Sequence, residues 1–175
     1  MKVKNTPLEG FKIIELDAYS DDRGFFLESY HEDRYREHGI EDIFLQENHS
    51  RSKKNVLRGM HYQIKNPQAQ IVTIIRGSIL DVVVDIRPNS VTYGNWHSVE
   101  LSDNGFRQVY MAPGFAHGFL VLSDWVDMHY KVTTLYNPSD EGGLIWNDPE
   151  VAIKWPMSNP IMSLKDKKLS FFKDL

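Results

Sequence analysis

The run Val56-Leu57-Arg58-Gly59-Met60-His61-Tyr62-Gln63 sets a histidine three residues after an arginine, among apolar positions of the strand type. Histidine titrates near neutrality, so His61 can take up a proton in a pocket where the arginine also holds an anion. Acidic and phenolic candidates for partners lie much further along the chain, and the combination points to an enzyme. Each candidate also has an ordinary structural use. A single histidine on a strand is more often a hydrogen-bonding residue than a base. Arg58 can pair with a carboxylate such as Asp85, and Arg23 can cap a turn. His117 follows Pro113-Gly114, where a local backbone hydrogen bond is the usual role. Tyr130 and Tyr136 can fill the mouth of a sandwich with their hydroxyls in water. His31, His38, His49, His97 and His129 read as surface or packing residues, and Lys53-Lys54 and the lysines at 165, 167 and 168 as solvated charge clusters.

The elements that must position these side chains read as short strands separated by Gly, Pro, Asn and Asp. Residues 70–75, the segment Arg76-Gly77-Ser78 and residues 79–86 predict two strands around a tight glycine turn. Val82, Val83 and Val84 are consecutive rather than alternating, so both faces of that second strand are expected to be covered. Further strands are expected over 11–16, 24–30, 42–46, 97–101, 108–112, 118–122 and 126–133. Turn residues separate them at Pro88-Asn89-Ser90, Asp103-Asn104-Gly105, Pro113-Gly114 and Asn137-Pro138-Ser139-Asp140. One helix is expected over 31–38, where Glu32, Asp33, Arg34, Arg36 and Glu37 form a charged face, and another short one near the end. This pattern predicts an all-β, mostly antiparallel double-sheet jelly roll with a few short helices. No repeat or linker interrupts it, so residues 1–175 are expected to form a single domain. Edge strands of a small sandwich tend to be covered by a second subunit, which predicts an oligomer.

Composition narrows the function. With 175 residues, 41% of them hydrophobic and 12% aromatic, the chain can build one core. A net charge of −4 with scattered basic residues argues against a nucleic-acid binder, while a few arginines can still focus a field on a small anion. The absence of cysteine excludes disulfides, thiolate ligands and a cysteine nucleophile. The first residues, Met1 to Pro7, lead into no apolar signal region, and no later stretch is apolar enough to span a bilayer. A cytoplasmic protein with no membrane partner is expected.

Several motifs become specific in combination. They are Asp22-Arg23-Gly24-Phe25-Phe26 with Glu28, Gln46-Glu47-Asn48-His49-Ser50, the run from Val56 to Gln63, and Asp85-Ile86-Arg87. Pro113-Gly114-Phe115-Ala116-His117-Gly118-Phe119, Tyr130-Lys131, Trp146-Asn147-Asp148 and Leu164-Lys165-Asp166 follow. In this order and spacing the chain resembles the deoxysugar-nucleotide 3,5-epimerases of the cupin superfamily, typified by dTDP-4-dehydrorhamnose 3,5-epimerase, from its start to about Asp166.

The resemblance implies a cupin homodimer that converts dTDP-4-dehydro-6-deoxy-D-glucose to dTDP-4-dehydro-L-rhamnose, a precursor of rhamnose in cell-surface polysaccharides such as the lipopolysaccharide O-antigen. The chemistry explains the residue types. Carbons 3 and 5 flank a carbonyl, so a base can remove a proton to give an enolate, and reprotonation from the other face inverts the centre. The resemblance assigns the base to His61, a carboxylate behind it to Asp166, and the acid on the opposite face to Tyr130. It assigns ligand contacts to Arg23, Glu28, Gln46, Asn48, Arg58, His117, Glu141 and Lys165, and a stacking contact on the nucleotide base to Tyr136. Arg23 and Arg58 suit the diphosphate, because a guanidinium fork matches phosphate oxygens. The family's segment holding Arg23 and Glu28 serves the neighbouring subunit's pocket.

One position departs from the family pattern. Gln70 stands where a lysine usually approaches the sugar keto oxygen. A glutamine donates a hydrogen bond without charge, and losing a cation from a dry site costs on the order of 3 kcal/mol of transition-state stabilisation unless another donor takes over. Gln70 therefore keeps open a single-centre epimerase of another 4-keto deoxysugar nucleotide, for example a CDP-linked one. A 3,4-ketoisomerase is disfavoured, because those relatives use a different histidine arrangement. A non-catalytic sugar-nucleotide-binding cupin ranks last, since His61, Tyr130 and Asp166 are all present. No metal is expected. Metal-binding cupins supply two histidines one residue apart and then a glutamate, whereas here His61 stands alone and position 63 is glutamine. No organic cofactor is expected either, because the substrate's own carbonyl acidifies the protons.

Overall fold

A computed structural model describes all residues, 1–175. In chain order the strands are β1 (Lys2–Asn5), β2 (Phe11–Glu15), β3 (Ala18–Asp21), β4 (Gly24–Leu27), β5 (Gln46–Lys53), β6 (Leu57–Gln63) and β7 (Gln70–Arg76). They continue as β8 (Ser78–Asp85), β9 (Trp96–Ser102), β10 (Arg107–Met111), β11 (Phe115–Val121), β12 (Trp125–Val132) and β13 (Glu141–Gly143). The single α-helix, α1, is Glu32–Arg36, and 3-10 turns at Asp166–Lys168 and Phe172–Asp174 are the short helical pieces near the end.

Two sheets face each other. One has the order β1-β2-β10-β7-β12-β5 and the other β13-β6-β11-β8-β9, while β3 and β4 form a separate hairpin. Every named strand pair is antiparallel, as the sequence pattern predicts. Phe11, Val72, Val83, Leu101, Val109, Phe119 and Val121 fill the space between the sheets. Burial of this apolar set at about 25 cal/mol per Å² is the main force holding the sheets together.

The outer faces are also covered, which explains the valine run. Val83 points into the inter-sheet core, while Val82 and Val84 point outward and pack under Leu144, Val151 and Phe172 of the C-terminal segment. On the other sheet Tyr35 of α1 and Ile40 pack over Ile14, Ile71 and Tyr110. The Tyr35 hydroxyl anchors this cover by donating to buried Gln108 Oε1.

Two local readings are corrected. The strands on either side of Gly77 form no hairpin: β7 belongs to the six-stranded sheet and β8 to the five-stranded one. Gly77, at φ +87°, is the corner where the chain crosses between layers, and a Cβ there would collide with the Trp125 carbonyl oxygen. Residues 42–46 are irregular up to the start of β5 at Gln46. Phe44 packs on the α1 side, whereas Ile43 and Leu45 stay exposed, so burial alternates along this apolar run although it joins no strand ladder.

Candidate active site

One end of the inter-sheet space opens into a cavity of about 300 Å³. Its first wall is a grid on the inner face of β5, β12 and β7, where strand register aligns Gln46 with Val132 and Gln70, Asn48 with Tyr130, and Ser50 with Met128. The facing wall comes from β6 and β11, on which His61 and His117 are direct cross-strand partners. Glycine permits that approach. Gly59 has φ +118°, and a Cβ there would lie 2.6 Å from the Gly118 Cα and 2.7 Å from the His117 carbonyl oxygen.

His61 Nε2 lies 3.0 Å from Oδ1 of Asp166, a residue 105 positions later. The other carboxylate oxygen accepts the Gly59 N–H at 3.3 Å. Burial pushes the Asp166 carboxyl up, but the hydrogen bond and charge of His61, with help from Ser163 and Gly59, outweigh it and hold the group below its ordinary range. Asp166 is thus a carboxylate at neutral pH. With Nε2 engaged, His61 Nδ1 is the ring nitrogen without a hydrogen-bond partner in the protein.

Tyr130 stands on the opposite wall, its hydroxyl bonded to no protein group. Burial raises its phenol above the ordinary value, and the Arg58 charge acts against that rise. Arg58 donates from Nε to Ser52 Oγ at 3.0 Å and from Nη2 to the Arg51 carbonyl at 3.4 Å. The alternative pairing of Arg58 with Asp85 is overturned, because Asp85 accepts hydrogen bonds from Arg87, Ser90 and Thr92.

His117 is corrected from a turn residue to a β11 residue. Its Nε2 lies 2.7 Å from Oδ2 of Asp81, which is fully buried. Asp81 escaped the sequence reading, although a carboxylate inside the apolar run Ile79-Leu80-Asp81-Val82-Val83-Val84 was a signal that something pairs with it. Ser50, Gln63, Gln68, Phe119 and Met128 also line the cavity and were not singled out. Gln63 carries a visible structural duty: its Oε1 accepts the Asn137 N–H at 2.8 Å and pins the loop that bears Tyr136.

At the cavity mouth, Glu141 Oε2 accepts from the Tyr136 hydroxyl at 2.7 Å and from Lys165 Nζ at 2.6 Å, while Oε1 lies 4.0 Å from His61 Nε2. Burial pushes the Glu141 carboxyl up, and the bonds from Lys165 and Tyr136 bring it below its usual range. Gln46 links to Asn48 Oδ1 through its amide and accepts the Tyr136 N–H at 2.9 Å. Gln70 lines the cavity with no side-chain hydrogen bond of its own. A second cavity, about 470 Å³, adjoins the first and shares Arg58, His61, Tyr136 and Glu141 with it.

Two expected site residues stand apart. Arg23, at the tip of the β3–β4 hairpin, is 89% exposed and bonded to its own neighbour Asp21. Glu28 pairs with Arg34 at 2.9 Å. Neither lines a cavity of this chain. No cluster of three or more His, Asp or Glu side chains has metal-holding geometry, and no helix is long and apolar enough to cross a membrane.

The family model described as dTDP-4-dehydrorhamnose 3,5-epimerase matches residues 5–174. The chain belongs to this epimerase family. Within the dTDP-4-dehydrorhamnose 3,5-epimerase family, the Escherichia coli K12 protein of that name is 46% identical, over 100% of this chain and 96% of its own length. A crystal structure of dTDP-6-deoxy-D-glucose-3,5-epimerase from Legionella pneumophila, in complex with dTDP-4-keto-L-rhamnose, superposes with a TM-score of 0.95. It is 44% identical and covers 98% of this chain and 93% of that one. A Streptomyces niveus relative named dTDP-4-dehydrorhamnose 3-epimerase is 40% identical over 95% of this chain and 82% of its own. These epimerases carry the cupin-like β fold expected from the sequence.

Proposed function

We propose that this protein is a nucleotide-sugar isomerase that converts dTDP-4-dehydro-6-deoxy-D-glucose to dTDP-4-dehydro-L-rhamnose. The observation that carries the reading is one cavity with a carboxylate-backed histidine on one wall and an uncommitted phenol on the other. Such a pair suits inversion at a carbon flanking a carbonyl. His61 Nδ1 takes the proton from carbon 5, and the electron pair passes into the carbonyl as an enolate. Asp166 steadies the imidazolium and keeps the Nε2 proton in place. Tyr130 returns a proton to the opposite face of the same carbon, and the resulting phenolate is stabilised by Arg58. After the two groups re-equilibrate with solvent, carbon 3 follows by the same cycle. Atoms and electrons balance within the substrate, so the reaction consumes no oxidant, reductant or organic cofactor. Gln70 is the donor proposed for the developing oxyanion, and His117, its Nε2 held by Asp81, lines the same cavity as a ligand contact.

The paired cavities suit a two-part ligand. The keto sugar occupies the cavity between the sheets and the nucleoside the adjoining one, with Arg58 on the diphosphate at their junction and the Tyr136 ring against the base. Asn48, Glu141 and Lys165 complete the contacts, while Gln46 also holds the Tyr136 loop. Arg23 and Glu28 enter this reading through a homodimer of single-domain chains, in which the β3–β4 hairpin serves the neighbouring pocket. The exposure of Tyr19, Phe25 and Phe26 on that hairpin supports a covered role. A cytoplasmic setting and a product destined for surface polysaccharide accord with the reaction.

A second reading, inversion of one centre only, is favoured by Gln70, which leaves Arg58 as the sole lysine or arginine lining the sugar cavity. Proton NMR of dTDP-4-dehydro-6-deoxyglucose in deuterated water separates the two. Deuterium at carbons 3 and 5 with formation of the L-sugar is the expected result. Deuterium at one carbon establishes the single epimerase, and Gln70→Lys is then expected to restore exchange at the second. Absence of exchange with dTDP- and CDP-linked substrates alike overturns the enzymatic reading in favour of a binding protein.

A further inference from the structure

The inner face of β5 presents Gln46, Asn48, Ser50 and Ser52. Gln46 bonds to Asn48, and Ser52 Oγ receives Arg58 Nε. Ser50 is different. Its Oγ is sealed from solvent and has no hydrogen-bond partner, a condition shared in this protein only by Asp81 Oδ1. A buried hydroxyl in that state bonds to no protein group, and alanine would fill the position without leaving a polar group unpaired. Ser50 nevertheless lines the sugar cavity, directly across from Met128 and one residue pair away from Ser52 and its Arg58 contact. A serine hydroxyl changes direction by rotation about a single bond, so it can reach the cavity without backbone movement.

We propose that Ser50 is a ligand-binding residue, its hydroxyl donating a hydrogen bond to a diphosphate oxygen held by Arg58. This rests on the nucleotide-sugar reading given above. A diphosphate presents several anionic oxygens, and the lining of the sugar cavity offers one guanidinium, with Lys165 in the adjoining cavity already bonded to Glu141. Oxygens that turn toward β5 meet neutral donors there, and a hydroxyl bonded to an anion makes a short, charge-assisted contact. Ligand binding supplies the partner that Ser50 lacks in the free protein.

Calorimetric titration with dTDP alone, on the intact protein, tests the proposal. Ser50→Ala is expected to weaken dTDP about tenfold and raise KM by a similar factor, with kcat unchanged and the melting temperature at or above that of the parent, since alanine leaves no unpaired hydroxyl. Ser50→Thr, which keeps the hydroxyl, is expected to recover most of the affinity. Binding of dTDP by Ser50→Ala within twofold of the parent overturns the proposal. A fall in melting temperature alongside the lost affinity also overturns it, since Ser50 would then be structural. If the parent itself binds no dTDP, the nucleotide-sugar reading fails and this proposal with it.

Discussion

Replacing Asp166 by asparagine probes the base through the two donors that the carboxylate satisfies. Oδ1 faces His61 Nε2 at 3.0 Å and Oδ2 faces the Gly59 N–H at 3.3 Å. An amide has one acceptor oxygen where the carboxylate has two. With the amide oxygen toward His61, its NH2 group opposes the Gly59 N–H, donor against donor. With the amide turned over, the NH2 group faces Nε2 and drives the ring proton to Nδ1, the nitrogen that must be bare to accept a proton. In both orientations the imidazolium formed in the reaction loses the carboxylate in contact with it, leaving Glu141 Oε1 at 4.0 Å from Nε2. A hydrogen bond to a charged group is worth about 1.5–3 kcal/mol and is gained as the imidazolium forms, whereas the unsatisfied Gly59 donor, at about 1–3 kcal/mol, is present before and during the step and lowers stability instead. The barrier therefore rises by about 1.5–3 kcal/mol, a fall in kcat of roughly 10- to 150-fold. KM is expected to change little. Deuterium incorporation by NMR, steady-state kinetics and a thermal melt on the same sample measure the three quantities. A well-folded Asp166→Asn enzyme with kcat within threefold of the parent would refute the assignment.

Tyr130→Phe removes the acid and leaves the base, so inversion is expected to fall by about 10²-fold or more while His61 still exchanges substrate protons for deuterium on its own face. Equal loss of exchange and inversion would contradict separate roles for the two residues. Mixing Arg23→Ala chains with His61→Ala chains is expected to restore activity that neither shows alone, because the mixed dimer holds one pocket with both residues intact. No gain on mixing, with exchange of subunits verified by mass spectrometry, would place Arg23 outside the neighbour's pocket. Asp85 gives a test of stability against pH. Burial raises its carboxyl, but the bonds from Arg87, Ser90 and Thr92 prevail and bring it from 3.8 down to about 2. This depressed group stabilises the fold above the unfolded value near 3.8, and its contribution, about 2 kcal/mol, is lost as pH falls through about 2. Urea denaturation should show Asp85→Asn destabilised at pH 7 by at least that amount, with the gap from the parent narrowing near pH 2. A gap independent of pH would remove the charge from the explanation.

Local patterns carried much of the fold but could not assign strands to layers. The turn at Gly77 was visible as a turn, yet nothing in Arg76-Gly77-Ser78 distinguishes a hairpin from a crossing between sheets. That choice depends on Trp125 and Ser123, which crowd the corner from almost fifty residues away. β5 was hidden for a different reason. Its inward residues are Gln46, Asn48, Ser50 and Ser52, because they face a polar cavity, and its outward residues are polar as well. Without apolar alternation the strand leaves no periodic trace. The nearby apolar residues Ile43, Phe44 and Leu45 attracted the strand assignment instead.

By itself, the sequence determined the inventory of reactive groups, the antiparallel all-β class and the family, because motif order and the apolar periodicity of most strands are properties of the linear chain. It also contained Asp81 and Ser50 without revealing their circumstances. The resemblance had already put Asp166 behind His61 and turned Arg23 toward a neighbouring subunit, and the structure supplies the 3.0 Å contact of the first pair; only the tertiary structure decided that Asp81 stands behind His117 and that Arg58 answers to Ser52 rather than Asp85. The physical reason is range. Backbone propensity and turn chemistry act over a few residues, whereas a hydrogen bond bridging 105 positions exists only after two sheets have closed over their shared apolar core and brought those positions together.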